Sequence, residues 1–529
     1  MSSIEKGPVT TDVVIIGAGP TGLMAANQLA RFGVRFMILD SKSGPTIQSR
    51  AIAVTSRSLE IYEQMGLIDE VLKKSQRIET FHFFSQGKQR GKVVLGEMGK
   101  GLSDFNYLLA FEQSKNEELL YNNLFKQGYN VQWETTFTEL INFEDSILIS
   151  VKDDSRTYNV HAKYLIACDG ASSPVRHQLK LPFEGGTYEN KFFVADTILK
   201  WDLSYNGLVI SPGDKNFVAF FPMSGVSNYR VIGTMPDDFH AHEKITFTEI
   251  QEVVKETIGV PVSFEKINWF SVYNLHHRRV DQFRKGNVFL AGDAAHIHSP
   301  AGGQGMNTGL QDAYNLAWKL AYVLRGTANE QLLDTYNEER LPFAKWLLSF
   351  TDRGFNIMTN DNVIIGFIRK HLASNLIGVF LKNQLLRRFG FKIISQIGYS
   401  YKGMSLSLSE TTQQLTFKAG DRLPYVMHTG GKSIYHLFTK PVFHLLHIND
   451  EPLTVDEMEE LNKLFPFEIE CVENNLINWI PLGISKELFL LVRPDNYIMF
   501  LWDKEKTETF SDMMNKFFTT GNKKTDLSI

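Results

Sequence analysis

Three glycines, Gly17, Gly19 and Gly22, stand in the G-x-G-x-x-G spacing that binds the pyrophosphate of a dinucleotide. In this arrangement the first glycine allows a tight turn, the second admits phosphates close to the backbone, and the third lets a helix pack against a strand. Asp40 ends the next predicted strand, where a carboxylate would accept hydrogen bonds from a ribose diol. The spacing predicts a dinucleotide-binding turn, and its alternative is an ordinary glycine-rich connection between a strand and a helix.

A second group of small and acidic residues runs from Gly292 to Asn307, with the sequence GDAAHIHSPAGGQGMN. A predicted strand ends in Gly292-Asp293, and a helix is predicted from about Thr308 to Leu324, just after three glycines. A helix N-terminus in that place directs free N–H groups and a positive dipole end at a developing negative charge. His296 and His298 form an H-x-H pair, but no third ligand follows nearby, so no metal site is predicted.

The elements that must position these residues follow from hydrophobic patterning. Val13 to Ile16 predict a buried parallel strand that leads into the glycine turn and then a helix, which Gly33 is predicted to end. Tyr164 to Cys168 predict another buried strand, and that strand ends in Asp169-Gly170. Because α/β sheets bind ligands at their carboxyl edge, this carboxylate and its flexible turn belong to the same predicted site.

Length and composition restrict the class of protein. A chain of 529 residues is too long for one core and predicts two or three domains. The net charge of -4 gives no reason to expect nucleic acid or an anionic membrane as partner. Cys168 and Cys471 fit no metal or disulfide pattern, which favours a reducing cytoplasm. The first residues lack the apolar core of a signal peptide, and charges interrupt the apolar stretch Val363 to Leu381, so no membrane span is predicted.

Residues 185–275 are rich in aromatic and β-branched segments, which predict an antiparallel sheet with one face over an apolar space. The candidate substrate contacts on this sheet are Phe221, Pro222, Tyr229, Trp269 and Tyr273. Arg230 and His276 could bind or deprotonate a phenol. For each of these residues the alternative is a structural role in the core, so no general base is assigned.

In these motifs the chain resembles the single-component flavoprotein aromatic hydroxylases, the family of para-hydroxybenzoate hydroxylase, phenol hydroxylase and the polyketide hydroxylases. Three motifs match in order: GAGPTG at Gly17 to Gly22, Asp169-Gly170 with Arg176, and GDAAH at Gly292 to His296 followed by PAGGQGMN. The likeness continues through LLDTYNEERLP, residues 332–342, and covers roughly residues 10–410.

The resemblance implies a set of residues that contact FAD. They are Gly17, Gly19, Pro20, Gly22, Asp40, Arg50, Gln113, Asp169, Gly170, Arg176, Gly292, Asp293, Pro300, Gly303, Gly305, Met306 and Asn307. Within this set, Asp40 would hold the adenosine ribose and Asp293 the ribityl chain. Pro300 would lie near the site of flavin oxygenation, which makes it a third candidate for the catalytic site beside Arg230 and His276.

The implied reaction is a hydroxylation with FAD and NAD(P)H as cofactors. NAD(P)H reduces FAD, O2 forms a flavin C4a-hydroperoxide, and a small phenolic or polycyclic aromatic substrate takes one oxygen. No second G-x-G-x-x-G is present, in agreement with a family that has no separate NAD(P)H domain. Two alternatives remain: a Baeyer–Villiger or antibiotic-inactivating monooxygenase on the same scaffold, and a flavin-binding module without turnover.

The predicted fold class is α/β. It combines a Rossmann-like FAD-binding domain, residues 1–180 and 276–355, with an inserted antiparallel β-sheet substrate domain, residues 78–111 and 181–275. A helical connector, residues 356–410, leads to a thioredoxin-like C-terminal domain, residues 411–529. The last domain has no C-x-x-C, which excludes a dithiol redox role and leaves a structural or dimer-supporting one. The expected assembly is a monomer or homodimer.

Overall fold

The computed structural model describes most of the chain. The described residues are 9–47, 51–203, 207–213, 216–236, 239, 245–298, 303–359, 383–427, 431–449, 451, 453–472, 482–504 and 508–519. Arg50 and Pro300, both predicted to contact the cofactor, lie outside these residues, as does the apolar stretch Val363 to Leu381.

The first sheet has eight strands, and the predicted glycine turn follows β1, whose last four residues are buried. Its strands are β1 (Val9–Ile16), β2 (Phe36–Leu39), β8 (Val131–Gln132), β9 (Thr136–Asn142), β10 (Ile147–Lys152), β11 (Thr157–Ala167), β17 (Arg284–Lys285) and β18 (Val288–Leu290). Their order is β17-β18-β11-β1-β2-β8, with β10 and β9 joined to β11. The strands β18, β11, β1, β2 and β8 run parallel, as the buried apolar runs of β1 and β11 predict.

Four parallel strands of this sheet end at the same level. In the pairing register Ile16 lies opposite both Leu39 and Ala167, and Ala167 lies opposite Leu290. The loops after these strands therefore meet at one edge of the sheet. The predicted site residues on those loops are Gly17, Asp40, Asp169 and Gly292.

The second sheet also has eight strands and is mostly antiparallel. They are β5 (Thr80–Ser85), β6 (Lys88–Val94), β12 (Glu184–Trp201), β13 (Gly207–Pro212), β14 (Phe217–Pro222), β15 (Asn228–Thr234), β16 (Val262–Arg279) and β19 (His296–Ile297). The order is β19-β16-β12-β15-β14-β13-β5-β6. Strand β19 belongs to the GDAAH segment, and it joins the second sheet directly to the loop after β18.

Two smaller sheets complete the described strands. One contains β3 (Ala53–Val54), β4 (Gln76–Ile78) and β7 (Leu108–Ala110). The other lies in the C-terminal part and contains β20 (Leu408–Glu410), β21 (Phe443–Ile448), β22 (Ile469–Val472), β23 (Leu488–Val492) and β24 (Ile498–Trp502). Its order is β20-β24-β23-β21-β22, with β22 parallel to β21 and β23 antiparallel to both β21 and β24.

Twelve α-helices are present in the described residues. They are α1 (Pro20–Arg31), α2 (Ser56–Gln64), α3 (Ile68–Lys74), α4 (Leu95–Gly99), α5 (Gln113–Lys126), α6 (Pro174–Gln178), α7 (Phe247–Ile258), α8 (Gly305–Leu324), α9 (Gln331–Thr359), α10 (Gln384–Ile394), α11 (Val455–Leu464) and α12 (Glu508–Phe517). Helix α8 begins at Gly305, one turn before the predicted start at Thr308. None of the described helices has both the length and the apolar character needed to cross a bilayer.

Candidate active site

A cleft of about 1020 Å³ separates the carboxyl edge of the first sheet from one face of the second sheet. At the edge of the first sheet it is lined by predicted cofactor contacts: Gly17, Gly19, Pro20, Asp40, Gln113, Asp169, Gly170, Asp293, Gly303, Gly305 and Met306. On the second sheet it is lined by Phe221, Trp269, Tyr273 and His276. One cleft thus joins residues predicted for cofactor and for substrate.

The three glycines of the turn have different surroundings. Gly17 has a φ of +98°, and a Cβ there would lie 2.3 Å from the Cys168 carbonyl oxygen. A Cβ on Gly22 would lie 1.9 Å from the carbonyl oxygen of Gly17, so both positions require glycine for packing within the protein. A Cβ on Gly19 would meet nothing within 4 Å, and α1 begins directly after it at Pro20. The space over Gly19 fits a pyrophosphate at a helix N-terminus.

Asp40 and Gln113 line the part of the cleft beyond the glycine turn. The Asp40 carboxylate accepts the backbone N–H groups of Ala18 at 2.7 Å and of Lys42 at 2.9 Å, which fixes it at the end of β2. The side-chain amide of Gln113 donates to Glu117 at 2.9 Å, and Glu117 also accepts the Thr46 N–H at 2.8 Å. Both oxygens of Asp40 keep lone pairs, so they can still accept from a ribose diol.

Glu117 is a cleft residue that the sequence analysis did not identify. The Glu117 side chain is fully buried, and its carboxylate lies 3.6 Å from the Lys42 ammonium. The one available signal was the i, i+4 spacing of Gln113 and Glu117 at the start of a predicted helix.

Two carboxyl groups in the cleft have a raised pKa. The Asp169 Oδ2 atom accepts the Val175 N–H at 3.1 Å, whereas Oδ1 is buried and has no hydrogen-bond partner among the described residues. Burial raises the pKa of Asp169. Asp293 is open to the cleft but enclosed by protein on its other sides, and this desolvation raises its pKa against the opposing effect of His296. Both groups fit a ligand that donates hydroxyl hydrogen bonds, as the ribose and ribityl groups of FAD do.

A buried ion cluster lies behind the Gly292-Asp293 turn. The Asp312 carboxylate, on α8, accepts the Gly292 N–H at 3.0 Å and lies 2.7 Å from both His296 Nε2 and Arg340 Nε. Burial alone would raise the pKa of Asp312, but Arg340 and His296 hold it below its usual value. His296 therefore braces the turn and does not face the cleft as half of an H-x-H metal pair.

Several predicted cofactor contacts serve as braces in the same way. The Asn307 side chain accepts the Thr55 N–H at 3.0 Å and donates to the Ala53 carbonyl at 2.8 Å, so it ties α8 to β3. Arg176 donates to the Ala294 and Ala171 carbonyls at 3.1 and 2.7 Å. Along with Gly22 and Gly292, these residues support the cleft without lining it.

In the middle of the second sheet, alternate residues of each strand face the cleft. Trp269, Ser271 and Tyr273 of β16 line it, whereas Phe270 and Val272 pack into an apolar cluster covered by α7. The same alternation separates Phe221 from Phe220 in β14 and Ile232 from Val231 in β15. The sheet therefore has an apolar face covered by α7, and its opposite face lines the cleft.

Three of the predicted substrate residues do not line the cleft. Tyr229 lies in the cluster under α7, with its ring centroid 5.2 Å from that of Trp201, and Pro222 lies opposite it in the next strand. Arg230 is buried and makes a bidentate pair with Asp196 at 2.7 and 2.8 Å. It also donates to the Ala51 carbonyl at 3.2 Å, so it joins the sheet to the loop before β3.

His276 lies at the cleft wall and has an unusual environment. Its Nδ1 lies 2.8 Å from the Thr187 hydroxyl. Burial and the nearby Arg278 and His277 lower the pKa of His276, which favours a neutral imidazole at neutral pH. A neutral ring whose Nδ1 donates to Thr187 has a lone pair on Nε2 and can accept a proton there.

A cluster of ionisable groups outside the cleft joins α2 to the C-terminal part. His436 Nε2 lies 3.4 Å from the Glu63 carboxylate, and Asp104 accepts the Tyr425 hydroxyl hydrogen at 2.7 Å. Burial raises the pKa of Glu63 to about 8, with further contributions from Asp104 and Glu60. The ligand atoms of Glu63, Asp104 and His436 lie within 4.8 Å of one another.

Comparisons with known proteins agree on one family. A family model described as FAD binding domain matches residues 10–351. The 6-methylpretetramide 4-monooxygenase of Streptomyces rimosus is 30% identical over 524 residues, which cover 94% of this chain and 92% of that protein. A rifampicin monooxygenase of Streptomyces venezuelae is 31% identical over 365 residues, 66% of this chain and 72% of that protein.

A solved structure extends the likeness to the fold. The anhydrotetracycline hydroxylase of Streptomyces rimosus superposes with a TM-score of 0.77 at 28% identity. The match covers 96% of this chain and 99% of that structure, so it includes the C-terminal part as well as the cleft.

Proposed function

The chain belongs to the FAD binding domain family and is an FAD-dependent monooxygenase, and we propose that it hydroxylates a phenolic, polycyclic aromatic compound with electrons from NAD(P)H. One observation carries the choice of substrate: the cleft that begins at Gly19 continues to Trp269 and Tyr273 on the second sheet. A cofactor bound along the edge of the first sheet and an aromatic compound bound against the second sheet would share one continuous cleft.

The cofactor residues fit FAD. We assign the pyrophosphate to Gly19 and the N-terminus of α1, the adenosine ribose to Asp40, and the ribityl chain to Asp293. FAD, when bound, accepts a hydride from NAD(P)H and activates O2. The N-terminus of α8 at Gly305 opens on the same cleft and would stabilise negative charge that develops there.

The uncharged side chains of the cleft wall support a substrate without a permanent charge. The described side chains that line the cleft on the second sheet include aromatic, aliphatic, amide, hydroxyl and imidazole groups but no lysine, arginine or carboxylate. An aromatic carboxylate would be left unpaired against this wall. His276 is the group that we propose accepts the proton of a substrate phenol, because phenolate character makes the ring electron-rich.

The names of the relatives support a large substrate. These relatives are named for 6-methylpretetramide, rifampicin and anhydrotetracycline, and those substrates are theirs. By analogy we propose a polycyclic substrate for this chain. The rifampicin monooxygenases among the relatives favour a second candidate function, the inactivation of an antibiotic on the same scaffold.

We also propose a thioredoxin-like fold for the C-terminal domain, with the domain boundaries predicted from the sequence. The order β24-β23-β21-β22, with only β23 antiparallel to the other three, supports this proposal. Cys471 is the single cysteine in this part of the chain, so the domain would act in structure and not in dithiol chemistry.

The test is anaerobic reduction of the bound flavin by NADH and by NADPH, followed near ~450 nm with and without candidate phenols, naphthoquinols, tetracyclines and rifamycins. A true substrate is expected to accelerate reduction many-fold and to gain one oxygen atom when air is admitted. The position of that oxygen would distinguish ring hydroxylation from Baeyer–Villiger insertion. If no compound accelerates reduction and neither donor reacts, the flavin-binding module is the better function.

A further inference from the structure

We propose that Arg493, in the C-terminal part of the chain, is a positioning residue for the Gly292-Asp293 turn of the cofactor cleft. The inference rests on the proposed binding of FAD in that cleft. It gives the C-terminal domain a role in the active site although none of the described residues that line the cleft comes from that domain.

Arg493 is fully buried and uses its whole guanidinium group. It donates to Glu339 of α9 at 2.5 and 3.0 Å, and to its neighbour Asp495 at 2.8 and 2.6 Å. Burial alone would raise the pKa of Glu339, but Arg493 and Lys319 lower it to about 2. Glu339 is therefore ionised at neutral pH and held in place by the C-terminal domain.

The first route from Arg493 to the cleft runs along helix α9. Arg340 follows Glu339 in sequence, and while Glu339 pairs with Arg493, Arg340 pairs with Asp312 at 2.7 Å. Asp312 accepts the N–H of Gly292. A shift of α9 at residue 339 must therefore move the ion pair that holds the turn.

The second route runs along helix α8. Asn315 lies one turn after Asp312, and its amide donates to Glu339 at 2.7 Å and to Asp495 at 3.3 Å. Lys319, one turn further, donates to Glu339 at 2.8 Å. The face of α8 that carries Asp312 is thus fixed to the charges around Arg493.

The third route passes through an aromatic ring. The guanidinium of Arg493 lies 5.5 Å from the ring centroid of Tyr401, and the Tyr401 hydroxyl accepts from Arg340 at 3.0 Å. All three routes converge on Asp312 and Arg340, both about 1% exposed. Loss of Arg493 would leave Glu339 and Asp495 as buried charges short of a partner, which is costly and would displace the helices that carry the turn.

The alternative is that Arg493 only anchors one domain to another. Arg422 provides a matched control, because it also reaches from the C-terminal part to helix α2. It donates to Glu60 at 2.9 Å and to the Leu102 carbonyl at 2.8 Å, and within the described residues neither Arg422 nor Glu60 hydrogen-bonds to Asp312 or Arg340. Both arginines anchor the domains, but only Arg493 pairs with the residue next to Arg340.

The experiment measures FAD binding by titration of the full-length apoprotein, together with its melting temperature. We expect Arg493→Met to weaken FAD binding about tenfold and Arg422→Met to change it less than about twofold, although both lower the melting temperature. Arg493→Lys keeps the charge but not the bidentate geometry and should fall between wild type and Arg493→Met. Equal losses of FAD affinity in the Arg493 and Arg422 variants would overturn the proposal.

If Arg493→Met does not fold, Tyr401→Phe tests the proposal through the third route. It removes only the hydroxyl that accepts from Arg340 and should weaken FAD binding about threefold. Unchanged FAD affinity in this variant would count against the proposal. The wild-type titration separates the two hypotheses, because failure of the wild type to bind FAD would refute the proposed function instead.

Discussion

Gln113 donates its side-chain amide to Glu117 at 2.9 Å, one turn further along helix α5. A carboxylate accepts hydrogen bonds and cannot donate them, so the amide nitrogen of Gln113 is held toward Glu117. The Oε1 atom of Gln113 is then the one presented to the cleft as an acceptor. Glu117 therefore decides which atom of Gln113 faces the cleft.

We predict that Glu117→Gln weakens FAD binding about tenfold, because the new amide can donate and Gln113 can turn over. Fluorescence titration of the apoprotein with FAD measures the effect. Glu118→Gln is the matched control, since Glu118 is the next residue of the same helix and is exposed. Equal affinities in the two variants would show that the orientation of Gln113 is immaterial.

For the glycine turn we predict that one substitution affects FAD binding and another affects the stability of the apoprotein. Gly19→Ala should leave the melting temperature of the apoprotein nearly unchanged, because a Cβ there meets nothing within 4 Å, yet it should weaken FAD binding at least about tenfold. Gly22→Ala should lower the melting temperature of the apoprotein itself, since its Cβ would lie 1.9 Å from the Gly17 carbonyl oxygen. A Gly19→Ala protein with wild-type FAD affinity would place the pyrophosphate elsewhere.

His276 gives a prediction for catalysis. With its pKa below the usual value of 6.5, His276 is neutral at neutral pH, and kcat/KM should fall only in more acidic solution as the ring gains a proton. His276→Asn should lower kcat/KM about a hundredfold, remove that acidic limb, and leave FAD binding unchanged. His161→Asn serves as control, because His161 is exposed and does not line the cleft. An acidic limb that persists in the His276 variant would refute the role.

Glu63 gives a prediction for stability against pH. Its usual pKa of 4.5 rises to about 8 in the folded protein because of burial, Asp104 and Glu60, while His436 lies on its other side. Between these pH values the folded chain holds a proton that the unfolded chain has released, so this contribution to stability is present in acid and lost as the pH rises through 8. Glu63→Gln should therefore raise the melting temperature at pH ~9 relative to wild type, with little change near pH ~4.

The control for Glu63 is Glu79→Gln, because Glu79 is exposed. A Glu63→Gln variant that loses melting temperature at pH ~9 would show that its pairing with His436 outweighs the repulsion. Addition of a divalent cation to the wild type would then reveal whether the Glu63, Asp104 and His436 cluster holds a metal.

The edge of the first sheet was predictable because its signals are local. Strands β1 and β11 are short apolar runs followed at once by glycine or Asp-Gly, and parallel strands place such ends side by side. The braces were not predictable, because their partners lie far away in sequence. Asn307 bonds to Thr55, 252 residues earlier, and nothing near Asn307 distinguishes a residue that faces the cleft from one that is turned inward.

The predicted residues of the second sheet show the same limit. Phe221 and Tyr229 belong to adjacent strands and are both aromatic, yet one lines the cleft and the other packs under α7. The alternation along each strand predicts two faces, but the sequence does not say which face the helix covers. Arg230 was a reasonable candidate for a phenol, and only its pairing with Asp196 shows that its charge is already used.

Along β14, β15 and β16, residues that fill the core alternate with residues that line the cleft, so the two sets are under different constraints. Residues toward α7 must keep their volume, whereas Ile232, Trp269 and Ser271 line the cleft and belong to none of the apolar core clusters of the described residues. A directed-evolution library restricted to these three positions should therefore keep most of its members folded and able to bind FAD. Such an arrangement allows related enzymes to diverge in substrate while their cofactor edge stays constant.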